Sequence, residues 1–351
     1  MARTDGARPT LASVAALAGV SRQTVSNVLN EPARVQAQTL ARVRAVLDEV
    51  GYRPHLAARQ LRTRRSNVIG LRLEPVTDGI NGAVLDRFLH ALTEGAQDRG
   101  YRVVLFTADD DTGEIARYRE LLDTTDIDAF VLTGTHHGDA RTAWLTERDI
   151  PFVTFGRPWT TDGAHDDPSH AWVDVDGCAG TRAATEHLLE AGHRRVAFAG
   201  WPVGSGTGDE RRLGWRTALE AASADAGPAA DCSDLDHQTP DGVAEGAQVV
   251  EQLLRLDDPP TALVCASDSL ALGALEASRA HGVPLAVVGF DDTPVAAAVG
   301  LSSIAQPLVD VAEATLERLV AQLAGGQAPA TPALLHPRLV VRRSSTPGPL
   351  R

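Results

Sequence analysis

Residues 10–30 read TLASVAALAGVSRQTVSNVLN, and this stretch decides how the amino-terminal end folds. Leu11, Val14, Ala15 and Ala18 recur at helical spacing and form one apolar face of a short helix. Thr10 stands at its N-cap position. Gly19 permits a tight turn, Val20 plugs it, and Ser21 caps a second helix. On that helix Val25, Val28 and Leu29 face back to the first, leaving Arg22, Gln23, Ser26 and Asn27 outward. Two short helices, a glycine turn and a polar outer face are what a helix-turn-helix needs to reach base edges in a major groove. The competing reading is an αα-hairpin on the surface of a larger domain.

Charge points the same way. Through Arg65 there are eleven Arg against Asp5, Glu31, Asp48 and Glu49, a balance of +7; the chain is −13 overall, so the rest carries −20. A basic end on an acidic body is the footprint of a protein that grips a polyanion at one end only. Every basic side chain is Arg, so the choice of Arg over Lys carries no weight at any single site.

At 351 residues the chain holds two or three compact units. Cys178, Cys232 and Cys265 are scattered and odd in number, which fits a reducing cytoplasm and argues against a disulfide frame or a zinc site. The opening MARTDGARPT has no apolar run after it, so no secretory signal is expected. No apolar stretch approaches the ~18 residues of a membrane span, and no membrane partner is expected.

Beyond the first two helices, Leu40, Val43, Leu47 and Val50 mark a third helix over Val35–Val50, ended by Gly51. The run from Tyr52 through Pro54 to Arg62 is rich in Ala, Leu and Arg, yet has too little apolar surface for an isolated helix. It reads as a conditional helix or as a plain linker. From Asn67 apolar runs alternate with amphipathic helices, beginning with VIGLRL at 68–73. The runs Arg102–Thr107, Ala129–Thr133 and Pro151–Phe155 form one series. A second is read from Ala171–Val175 through Arg195–Ala199, Thr261–Cys265 and Leu285–Phe290. Such alternation predicts parallel sheets covered on both faces, hence two doubly wound α/β lobes with ligands at the carboxyl ends of their strands. Asp225–Asp241 is expected as an acidic surface loop and the tail from Thr346 as disordered.

These residues are recognisable. TLASVAALAGVSRQTVSNVLN and VLDEVGYRPHLAARQLRTRRSNVIGL resemble the LacI (lactose-repressor) family of bacterial transcription regulators. The likeness continues through VDVDGCAGTRAATEHLLEAGHRRVAFAG, RRLGW, CASDSLALGALEA, AVVGFDDTP and Gln306-Pro307. It implies an all-α helix-turn-helix domain at 1–51, a hinge at 52–66 and a two-lobed unit at 67–345 resembling a periplasmic-binding-protein fold. One lobe is expected from about 67–166 plus 306–333, the other from about 167–305 plus 334–345, with a tail at 346–351. The implied partners are a pseudo-palindromic double-stranded DNA operator, a second copy of the chain, and a small effector, typically a sugar or sugar derivative. The alternative is a regulator with a non-sugar effector or no effector response.

DNA contacts are expected from Thr10, Ser21, Arg22, Gln23, Thr24, Ser26 and Asn27, and from Tyr52, His55, Ala58, Arg59 and Leu61 of the hinge. Arg pairs with guanine and Gln with adenine in the major groove. Leu61 stands at the family's hinge-leucine position, where an apolar wedge enters the minor groove; the other reading is packing against the body. Asn27 departs from the family, which commonly has Arg there, and Ser267 replaces a common Asn. The effector cleft is expected to use Asp78, Asn81, Arg157, Trp159, Arg211, Ser267, Asp268, Phe290, Asp291 and Gln306. Arg211 and Asp291 match the family's ligand Arg and carboxylate, and Trp159, Trp201 and Phe290 are candidates for an apolar wall.

No cofactor or enzymatic activity is expected. Gly204-Ser-Gly-Thr-Gly lacks the spacing of a dinucleotide fingerprint, and His136-His137 lacks metal partners at ligand spacing.

Overall fold

The computed structural model describes residues 9–52, 66–74, 80, 82–159, 170–224, 233–326 and 333–346. The chain divides into two compact units, Met1–Ser66 and Asn67–Arg351. The expected sites His55, Ala58, Arg59, Leu61, Asp78 and Asn81 lie outside the described residues, as does the tail beyond Thr346.

In the first unit α1 (Leu11–Ala18) and α2 (Arg22–Asn30) are followed by a short turn at Pro32–Arg34 and by α3 (Ala37–Glu49). Thr10 and Ser13 form a reciprocal capping box, which satisfies donors that the first turn of α1 leaves without helical partners. Gly19 takes the left-handed conformation, φ 64° and ψ 39°, that ends α1. Val14, Ala15, Ala18, Val25, Val28, Val43 and Leu47 make the core, with Val20, Leu29 and Tyr52 packed at its edge. The apolar spacing of 10–30 therefore produces the angled helix pair, and α3 closes it.

The second unit begins with β1 (Val68–Leu73), α4 (Gly82–Asp98), β2 (Arg102–Thr107), α5 (Asp111–Thr124) and β3 (Ala129–Leu132). It continues through α6 (Ala140–Thr146), β4 (Phe152–Phe155), β5 (Ala171–Val175), α7 (Gly177–Glu190) and β6 (Val196–Gly200). Then come α8 (Thr207–Ala224), β7 (Asp236–Gln238), α9 (Val243–Leu253), β8 (Ala262–Cys265), α10 (Asp268–His281) and β9 (Ala286–Phe290). The last elements are α11 (Pro294–Val299), β10 (Ser302–Ala305), α12 (Leu308–Leu323), β11 (Ala333–Leu335) and β12 (Arg338–Val340).

The strands form two sheets, ordered β11-β5-β4-β3-β1-β2 and β12-β10-β9-β8-β6-β7. Among the described residues all pairings are parallel except β10 with β12. Strands such as AFVL and ALVC are buried throughout, as the inner strands of a parallel sheet with helices on both faces must be. The first sheet separates two apolar layers. Ile69, Phe88, Leu92 and Leu316 lie in one, and Val68, Tyr118, Phe130 and Leu145 in the other.

Three boundaries differ from the sequence reading. β5 pairs with β4, Val153 opposite Ala171, so it belongs to the first lobe and not to the second. An apolar strand looks the same in either sheet; only its hydrogen-bonded neighbour decides. β11 pairs with β5 across Ala333–Leu335, which moves the last crossing to His336-Pro337. Within the expected acidic loop, Leu235 is buried and Asp236–Gln238 form an edge strand on β6. Three polar residues on a sheet edge give no alternation to read. The chain thus passes between lobes after β5, after β10 and after β11. The first and last of these passages adjoin, since the amide of Asp176 donates to the carbonyl of Leu335.

Candidate functional site

On α2 the outward face is polar and its side chains divide by task. Ser21 accepts from the Thr24 amide at 3.0 Å, and the two hydroxyls bond each other at 2.9 Å, so both serve the cap. Thr10 likewise caps α1. Arg22 and Gln23 are exposed, with Ser26 and Asn27 half-buried beside them. Gln23 Nε2 donates to Asn27 Oδ1 at 2.9 Å, one helical turn away. Tyr52 is half-buried against the head core.

In the second unit a cleft of about 380 Å³ opens at the carboxyl ends of the strands, between the lobes. That volume suits a small ligand. Its first-lobe wall includes Glu74, Thr133, Phe155, Arg157, Trp159 and Asp174; its second-lobe wall includes Thr207, Glu210 and Arg211; Gln306 comes from a crossing.

Arg157 follows β4 and is buried. Its Nε donates to Asp174 Oδ2 at 2.8 Å, and Nη1 lies 3.4 Å from Glu210 Oε1 on the opposite lobe. Its guanidinium sits 5.2 Å from the centre of the Trp159 ring. Trp159 is 9 % exposed and its buried indole N–H has no partner among the described residues. Glu74, at the end of β1, accepts from Thr133 Oγ1 at 3.0 Å and pairs with Arg72.

Arg211 lies with its guanidinium 3.7 Å from the centre of the Phe290 ring. Its Nη1 donates to the Ala266 carbonyl, its Nη2 is 3.9 Å from Asp291 Oδ1, and its Nε has no partner among the described residues. Burial lowers the pKa of the guanidinium, while Asp291 and Asp241 oppose that shift. Asp291 holds φ at 113°, a left-handed value costly for a side-chain-bearing residue, and accepts from Gln306 Nε2 at 2.6 Å. Burial raises the pKa of its carboxyl, with Arg211 opposing and Asp268 reinforcing.

Of the expected cleft residues, Arg157, Trp159, Arg211 and Gln306 line the opening. Asp291 stands one layer behind, bonded to Gln306. Phe290, Asp268 and Ser267 make contacts behind that lining. Phe290 is fully buried beneath Arg211. Asp268 accepts from Ser303 Oγ at 2.6 Å and the Thr293 amide at 2.7 Å, which ties α10 to β10 and α11. Ser267 caps α10 and donates to Asp241. Trp201 does not line the cleft but stacks beside Arg211 at 5.2 Å. Glu74 and Glu210 were not anticipated. Glu74 had a signal, since it directly follows the first apolar strand.

The two features set aside in the sequence also resolve. The amides of Gly204 and Gly206 donate to Asp209 Oδ2 at 2.9 and 3.1 Å, so a carboxylate fills the glycine turn. His136 does gather partners, because its ring and the carboxylates of Asp111 and Asp139 lie within 4.8 Å of one another. Arg141 Nη2 bonds Asp139 at 2.7 Å and its Nε lies 3.5 Å from Asp111, already supplying a cation there.

A helix-turn-helix followed by a two-lobed module with a cleft at its strand ends defines a DNA-binding regulator with a sensor body. Comparison with known proteins agrees. Residues 10–55 match the bacterial regulatory proteins of the lacI family, and 185–345 match a periplasmic binding protein-like domain. The chain is 33 % identical over 347 residues to the HTH-type transcriptional regulator CelR of Thermobifida fusca, covering 96 % of this chain and 98 % of that one. A solved complex of transcriptional regulator CelR with cellobiose has 30 % identity and a TM-score of 0.69, covering 96 % of this chain and all of that one. The lac repressor dimer bound to operator and the anti-inducer ONPF has 25 % identity and a TM-score of 0.78, covering 97 % and 100 %. The chain belongs to the lacI family: it is a DNA-binding transcription regulator and not an enzyme. Among the described residues no helix is long and apolar enough to cross a membrane.

Proposed function

We propose that the protein is a dimeric repressor that binds a pseudo-palindromic operator and whose DNA affinity is set by a carbohydrate held between the lobes. The observation that carries this reading is Arg211. A buried guanidinium that lines a cleft, lies 3.7 Å from the centre of the Phe290 ring and keeps Nε without a partner among the described residues is placed to donate to ligand oxygens. Charge-assisted donors of this kind suit adjacent hydroxyls. Trp159 adds an apolar surface with a spare indole N–H, the pairing that the face and rim of a sugar ring require. Four cleft carboxylates and amides, on Glu74, Asp174, Glu210 and Gln306, offer acceptors for hydroxyl protons.

The ligand acts on DNA binding only by favouring one arrangement of the lobes over another. The test is calorimetric titration of the full chain with cellobiose and a panel of neutral mono- and disaccharides, alongside operator binding with and without each sugar. Arg211→Ala should bind the operator as the parent does, and should lose at least about 2 kcal/mol of sugar affinity because acceptors on the ligand stay unpaired. A variant that responds at the parent's sugar concentration would place the ligand elsewhere.

A further inference from the structure

We infer that Asn27 is a positioning residue for Gln23, and that the two amides together select an A·T pair at one symmetric position of each operator half-site. The inference rests on the proposed operator reading by α2. It goes beyond that reading by assigning a base and by giving Asn27 a role that is not a direct contact.

Gln23 and Asn27 are four apart and share one face of α2. Gln23 is exposed, and its Nε2 donates to Asn27 Oδ1 at 2.9 Å. An isolated glutamine amide is ambivalent toward DNA. Turned one way it offers a carbonyl and an N–H side by side, which fits the N6 donor and N7 acceptor of adenine. Turned the other way it offers N–H groups to the two acceptors of guanine, O6 and N7. The bond to Asn27 removes this freedom, because a donor of one amide must face the acceptor of the other. The pair then always presents one carbonyl acceptor together with N–H donors. If both amides exchange ends, the outward pattern stays mixed. Adenine satisfies a mixed pattern; guanine sets an amide oxygen against an acceptor, which repels. The bond also orders a long, rotamer-rich side chain before DNA arrives, so less entropy is lost on binding.

Neither side chain belongs to the head core, which is built from Val14, Val25, Val28 and Val43 among others. Replacing Asn27 should therefore leave the apolar core of the head in place, which a melting curve of the variant checks.

The experiment is selection of bound duplexes from a randomised pool by the full chain. The parent is compared with Asn27→Ala, Gln23→Ala, the double variant and Asn27→Asp. The parent should enrich A·T over G·C at one position per half-site by about tenfold. Gln23→Ala should lose that preference. Asn27→Ala should weaken it several-fold at the same position and leave the other positions unchanged. The double variant should be no worse than Gln23→Ala, since the two act as a unit. Asn27→Asp keeps the acceptor that Gln23 Nε2 needs, so it should retain the A·T preference while total affinity falls through repulsion from phosphate. An unaltered A-to-G ratio in Asn27→Ala, or losses at two separate positions that add in the double variant, would overturn the pairing. A G·C preference in the parent would overturn the base assignment. A parent that enriches no sequence would overturn the operator reading itself, a failure distinct from the other two.

Discussion

Arg157 and Glu210 face each other across the cleft, Nη1 to Oε1 at 3.4 Å, one from each lobe. Arg157 is also held by Asp174 on its own lobe, at 2.8 Å. One guanidinium therefore neutralises a carboxylate on either side of the opening, and the lobes meet through a charge that is itself buried. Removing the cation takes the neutralising charge from two partly desolvated carboxylates at once. Removing one anion leaves the Arg still paired.

This asymmetry predicts unequal costs. Arg157→Ala should lower the stability of the second unit by about 3 kcal/mol, the scale of breaking a buried pair. Glu210→Gln should cost about 1 kcal/mol, because a neutral acceptor remains and Asp174 keeps its bond. Urea denaturation midpoints measure both. Equal losses would show that the bond across the cleft, and not the one to Asp174, holds Arg157.

Gly206 supplies a second contact between the walls. At φ 66° a side chain there would be strained, and its Cβ would fall 2.6 Å from Trp159 Cδ2, closer than atoms can pack. Gly204, at φ 92°, has open space around the same position. Gly204→Ala should show the backbone strain alone, about 1 kcal/mol. Gly206→Ala should cost a further 1–3 kcal/mol or so by overpacking, and should shift tryptophan emission as Trp159 is displaced. Matching stabilities and spectra for the two variants would mean that the indole is not seated against this turn.

His136 predicts a pH dependence. Its Nδ1 lies 3.1 Å from the carbonyl of His137, which only accepts, and its Nε2 lies 3.1 Å from Asp111. Both contacts are hydrogen bonds only when the ring carries both protons. Partial burial lowers the pKa, but the His137 carbonyl, Asp111 and Asp139 outweigh it, and the pKa is raised in the folded protein. The nearby Arg141 is itself paired with Asp139 and Glu114 and holds the carbonyls of Thr133 and Gly134, which border the cleft. A group with a raised folded pKa contributes stability that is complete below the unfolded value of about 6.5 and is lost as pH rises through the folded value. Melting of the parent should fall relative to His136→Gln across that interval, and the two should run parallel above it. Parallel curves throughout would show that the ring is neutral. The buried carboxylates Asp268 and Asp291 also titrate, but equally in both proteins, so the difference isolates His136.

The sequence was most legible where local periodicity and capping act together. Leu11 to Leu29 specify α1, the Gly19 turn and α2 without help from distant residues. The alternation of apolar runs and helices was equally readable. Its partition was not, because the sheet that receives β5 depends on the hydrogen-bonding edge offered by β4, a relation between residues 18 apart at Val153 and Ala171. The cleft divides in the same way. Arg157 stands at a strand end and Gln306 at a crossing, where topology alone puts ligand groups, whereas Arg211 lies on α8 and is legible only through the family motif RRLGW. Asp268 and Ser267 also stand at a strand end, yet their side chains turn inward to cap α10 and bind Ser303. Strand position gives the neighbourhood of a residue, and only the local hydrogen bonds say which way its side chain points.

The three passages between lobes have a consequence for how such a protein changes over generations. Neither lobe is a continuous stretch of chain: the first takes in β11 and α12 from near the end, and the second starts only after β5. A single crossover in the gene cannot exchange one lobe and spare the other. Point substitution at the walls is then the simpler route to a new ligand preference. The helix-turn-helix unit is a single uninterrupted segment, and recombination can trade it whole. What the protein reads on DNA and what it senses are thus heritable by different routes, one as a cassette and the other residue by residue.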